Sequence, residues 1–145
     1  MDVKKINPSL IATYTQTECE RAFVLILREL LRILKCKVRT ESDRALVDRC
    51  EKRVSLVVLS DSSELLRISK DKLIENRDRI MSRDEEYFMT QPLVDTAGAS
   101  AGASAADEII NLVRTQYSSA TKPERDLIYS HFVNMLMTCI RHVTC

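Results

Sequence analysis

Glycine is nearly missing from this chain. Of 145 residues only Gly98 and Gly102 are glycine, and both lie in the tandem AGAS repeat at 97–104. Hairpins and sheet turns use glycine to reach left-handed backbone without steric cost. A chain with none outside one short stretch therefore reads as helices joined by short loops. Its length is that of one domain able to bury a real core. Apolar residues make up 45% and charged residues 30%, the mix of a globular, soluble protein, and a net charge of +1 gives no overall pull toward nucleic acid or anionic membrane.

Residues 1–16 read as an N-terminal arm with Asn7-Pro8 as a turn, and 17–145 as a single helical domain. Thr17 and Glu20 have capping-box spacing. Behind them Phe23, Ile26, Leu27, Leu30, Ile33 and Leu34 recur at helical intervals to about Lys37. A second helix after Ser42 places Leu46, Val47, Cys50, Val54, Val57 and Val58 on one face. Its VSLVVL end is β-branched like a strand, but no partner strand is visible and helix is expected. Asp61 and Glu64 have cap spacing for a third helix, and a fourth, from about Asp71 to Thr90, could continue it until Pro92 ends the segment. The small residues of 95–106 cannot build a core and predict a flexible tether, placed to contact neighbouring chains. Ser104 then opens a short helix with Ile109, Ile110, Val113 and Tyr117. Thr121-Lys122-Pro123-Glu124 combines an N-cap hydroxyl, a first-turn proline and a glutamate at N3, so a last helix should run over 122–143.

That last helix contains LIYSHFVNMLMTCI, fourteen residues at 127–140 without a charge. Ser130, Asn134 and Thr138, with His131 beside them, leave only a narrow polar stripe. A helix apolar nearly all round is covered on every side, by its own chain or by a partner. The expected fold is all-α, a compact bundle of five or six helices with the C-terminal helix central.

Motifs for chemistry are sparse. There is no P-loop, GxGxxG, HExxH or GxSxG. Cys139, His142 and Cys145 share one side of a helix at three-residue spacing, but zinc asks for a fourth ligand or an open position, and burial with a frayed end explains them more simply. His131 has no orienting motif that would make it the base of a cysteine nucleophile. Asp84, Glu85 and Glu86 are consecutive and fan around a helix. Residues 28–53 hold nine positive and five negative charges, but tryptophan is absent and the density falls short of a phosphate track. Five cysteines, an odd number, suggest a reducing compartment and no disulfide framework. The N-terminus has no apolar signal core, Asp2 stands where myristoylation needs glycine, and the uncharged run falls short of the roughly twenty residues of a membrane span.

IENRDRIMSRDEEYFM at 74–89 and TKPERDLIYSHFVNML at 121–136 are the stretches with a resemblance. An Asn-Arg-Asp and then an Arg-Asp-Glu with aromatics behind, and a Pro-Glu helix start before an aromatic final helix, resemble short structural proteins of large, iridovirus-like cytoplasmic DNA viruses. The resemblance covers about half the chain and carries over no functional residue. It implies a minor capsid or cement component, found in the virion and in host cytoplasm during assembly, with other virion proteins or its own copies as partners. The residues themselves lead to a non-enzymatic structural or interaction protein with no catalytic, cofactor-binding or metal residues, no cofactor and no small-molecule substrate. The alternative is a small intracellular helical adaptor or regulator that takes a partner helix. Third is a weak nucleic-acid binder.

Overall fold

The computed structural model describes the backbone of residues 1–90 and 101–145 and the side chains of 1–90 and 107–145. Every described element is helical: a 3-10 turn at Val3–Lys5, then α1 (Pro8–Ile11), α2 (Gln16–Lys37), α3 (Glu41–Ser60), α4 (Glu64–Glu75), α5 (Arg77–Met81), α6 (Glu85–Thr90), α7 (Ala101–Ser118) and α8 (Lys122–Thr144). The fold is an all-α bundle with α8 central. That helix packs along α2 and against α4, with α1, α5 and α7 completing its surroundings. Ile128, Phe132, Leu136 and Cys139 of α8 meet Phe23, Leu30 and Leu34 of α2 in one continuous core.

Side-chain caps set the starts of the long helices. Thr121 and Glu124 form the full capping box at the head of α8, each satisfying the other's free backbone N–H. At α2 the box is Thr15 with Glu18, two residues earlier than Thr17 with Glu20, because both pairs have the right spacing and the earlier start adds a contact. Gln16, now in the first turn, donates from Nε2 to the His142 carbonyl at the end of α8 (3.1 Å). Thr40, not Ser42, caps α3, and VSLVVL is helical.

The stretch expected as one or two long helices after Asp61 is divided into three. Asn76 stands at the first break: its backbone N–H (3.1 Å) and its Nδ2 (2.7 Å) both donate to the Lys72 carbonyl, and the Tyr87 hydroxyl bonds its Oδ1. Arg83 breaks it again by adopting φ 54°, the left-handed conformation that favours glycine.

Two further segments carry detail that the sequence did not give. The second AGAS repeat is helical backbone, since α7 begins at Ala101; alanine is the strongest helix former, and composition alone reads it as linker. The rest of the expected tether, 95–100, lies outside the described residues, as does Pro92. The N-terminal arm is packed structure. Ile6, Ile11 and Tyr14 are buried, and the arm lies on the narrow polar stripe of α8. Asn134 Nδ2 donates to the Ile6 carbonyl (3.3 Å) and Arg141 Nε to the Tyr14 carbonyl (2.8 Å). Further along the stripe Thr138 is fully buried, its hydroxyl donating to the Met135 carbonyl (2.6 Å). The arm therefore covers the Asn134–Arg141 part of the side of α8 that its neighbouring helices leave open.

Candidate functional site

Most of the titratable residues singled out by sequence are fastenings. Asp84, Glu85 and Glu86 do fan apart. Asp84 accepts from the Tyr87 amide (3.1 Å) and from Arg79 (2.8 Å), Glu85 from the Tyr117 hydroxyl (2.7 Å), and Glu86 is exposed. The Tyr87 amide first, then Arg79, hold the Asp84 carboxyl below the ordinary range. Arg83 is the hub beside them. It donates to Glu85 (3.1 Å) and Asp126 (2.7 Å), and its guanidinium lies 5.0 Å from the centre of the Tyr129 ring. Phe88 is met edge-on by Tyr117, Tyr129 and Phe132 at centroid distances of 5.6, 5.7 and 4.7 Å. The Tyr129 hydroxyl donates to the Ile80 carbonyl (2.9 Å), and burial pushes this phenol up to about 12. The cluster clamps α5 and α6 onto α7 and α8, and its polar groups are bonded to one another.

The cysteine and histidine candidates are dispersed in the same way. Cys139 is fully buried, which pushes its thiol up to about 12. His142 Nε2 faces Glu20 Oε2 at 3.1 Å, and the Cys145 sulfur faces the Tyr14 carbonyl at 3.6 Å. Among the described residues no group of three His, Cys, Asp or Glu side chains is placed to hold a metal ion. His131 is half-buried, and burial lowers its pKa against the opposing pull of Glu29.

The basic stretch at 28–53 is largely paired. Arg32 bonds Glu29; Lys35 faces Asp48 (3.2 Å) and Glu51 (3.8 Å), tying α2 to α3. Lys37 reaches Glu124 (2.7 Å), tying α2 to α8, and Arg49 (2.8 Å) and Arg53 both reach Glu108 on α7. The local positive excess thus works between helices, with Arg28, Arg39, Arg44 and Lys52 left without an ion pair among the described residues.

Two features have no such internal task. The first is the outer side of the C-terminal half of α3. Val54 and Val57 point into the core, but Leu56 is 66% exposed and Leu59 84% exposed. The second is an open groove of about 700 Å³ beside that end, enclosed by the arm, α2 and the end of α3. Its apolar lining comes from Leu10, Val24, Leu25 and Val58, and its cations are Lys5, Arg21 and Arg28. None of these three cations makes a side-chain hydrogen bond or ion pair among the described residues. Tyr14 also lines the groove, and its buried hydroxyl has no hydrogen-bond partner among the described residues. Burial first, then nearby Glu18, raise that phenol's pKa.

Sequence reasoning missed these residues because it treated 1–16 as an arm and 54–59 only as a helix-or-strand question. A signal was there. Glu18, Arg21, Leu25 and Arg28 follow three-four-three spacing, a second stripe on α2 beside its core face. No helix among the described residues is long and apolar enough to cross a membrane. No family model, no curated protein and no solved structure matches this chain.

Proposed function

We propose that the chain is a non-enzymatic interaction protein whose contact face is the outer C-terminal end of α3. The observation that carries this reading is the leucine pair, Leu56 at 66% and Leu59 at 84% exposure, on a helix whose other large apolar residues are turned inward or half-buried. Burying two such side chains against a partner is worth roughly 1.5–3 kcal/mol each, and adjoining exposed apolar residues mark contact sites more than scattered ones do.

Two settings fit this face. A minor capsid or cement component of a viral particle is the setting the resemblance supports. The residues that carry the resemblance, Arg83, Tyr87, Phe88 and the Thr121 box, serve inside the fold, so they bear on its construction and leave the contact face open. A small adaptor that takes a partner helix is favoured by the groove beside the leucines. Sedimentation separates the two: a cement protein self-associates or sits in particles at fixed stoichiometry, and an adaptor remains a monomer. Both settings require contact at the leucines. A photo-crosslinking amino acid placed at position 59 should trap a second chain in particles or cells of the source. If position 59 yields no crosslinked chain there while positions on the opposite side of the bundle do, the interaction reading of this face is wrong.

A further inference from the structure

We infer that the groove between the arm, α2 and the end of α3 is a docking site for an acidic amphipathic helix of another protein, an inference that rests on the interaction reading above. Shape is the first argument. Glu18, Arg21, Leu25 and Arg28 form one ridge of α2 at three- and four-residue spacing, so the groove runs along a helix axis for about three turns. Leu10 and Val58 face it from the arm and from α3. An elongated apolar channel beside a helix suits another helix laid along it, with anchors at matching intervals.

Charge fixes the kind of helix. Arg21 and Arg28 are seven residues apart, about 10 Å along α2. Lys5 adds a third cation from the arm. The two anions of the lining are both engaged by backbone amides, Glu18 by Thr15 in the capping box and Asp2 by Lys4. Three unpaired cations spread along the channel match carboxylates repeated on a partner, where a ligand with one anionic group would meet only one of them.

The test uses the full chain and synthetic helical peptides of about fourteen residues, four turns. Each carries leucines at three- and four-residue spacing, with either glutamates or lysines placed seven residues apart beside them. The glutamate peptide should bind at least about tenfold tighter than the lysine peptide, the scale of a well-placed charge contact. Arg21→Glu with Arg28→Glu, both exposed positions, should reverse that order. Equal affinity for the two peptides, binding of neither, or an order unchanged by the charge reversal overturns the proposal. Position 59 crosslinks are independent of these peptides, so a failed groove with a crosslinked leucine face leaves the interaction reading standing.

Discussion

Residues 127–140 and residues 54–60 are both uncharged, both helical and both apolar on more than one side, yet the protein treats them in opposite ways. In α8 the long run is covered over most of its length: helices α2, α4, α5 and α7 take most of it, the arm takes part of the polar stripe, and Leu127 and Ser130 at its start remain exposed. In α3 the shorter run buries Val54 and Val57 and leaves Leu56 and Leu59 in solvent. An uncharged run says that a helix has apolar surface to cover. Whether its own chain covers it depends on where the rest of the chain passes, and the arm passes over α8.

The comparison can be broken at its strongest point. Leu136→Asp puts an unpaired charge at a site with no exposure and should cost several kcal/mol, enough to unfold the domain, as judged by thermal melting. A variant that melts like the parent would remove α8 from the centre of the bundle. The arm is the next target. Ile11→Ala should cost about 2–5 kcal/mol by chemical denaturation, because Ile11 is 1% exposed and packed into the core. A loss near zero would make the arm an ornament and α8 as bare as α3.

A third measurement concerns how the head of α8 is held to α2. The Lys37 ammonium first, then the Thr121 amide, pull the Glu124 carboxyl down to about 2 from an ordinary 4.5. A depressed folded-state pKa means stability that is present above about 4.5 and lost as pH falls toward about 2. Glu124→Gln should flatten the stability profile in that window. The flattening should be partial, because Asp84 and Asp126 are lowered by their own partners and titrate in the same direction. A profile identical to the parent's would mean the link between α2 and α8 carries no load. The smallest effect is expected on the other side of the comparison: Leu59→Asp should shift stability by no more than about 0.5 kcal/mol. A loss like that of Ile11→Ala would show that Leu59 is held by the fold, and would remove it as a contact residue.

What the residues disclosed follows the range of the forces involved. Local signals were readable. Thr121, Pro123 and Glu124 announced the start of α8, and the periodicity from Phe23 to Leu34 announced the core face of α2, because caps and helix faces are set within a few residues. The all-α bundle with α8 at its centre followed from these and from the glycine pattern. Long-range choices were hidden. Thr15 and Thr17 offer equal boxes locally, and a contact with His142 accompanies the choice between them. Ile6, Ile11 and Tyr14 show no helical period, so nothing local reveals that they lie on α8. Arg83 in left-handed backbone is equally invisible, since arginine gives no hint of a position that usually takes glycine. For the candidate site, the leucines of α3 were visible as composition and invisible as surface.

The seam between the arm and α8 also sets an order of events during synthesis. Its hydrogen bonds join residues 126 to 131 positions apart, such as Gln16 to His142 and Cys145 to Tyr14. A ribosome adding about 5–20 residues per second needs on the order of ten seconds to cover that distance. Until α8 is made, Ile6, Ile11 and Tyr14 lack the surface they will occupy. Residues made more than a hundred positions earlier are thus sealed only by the helix that follows them all.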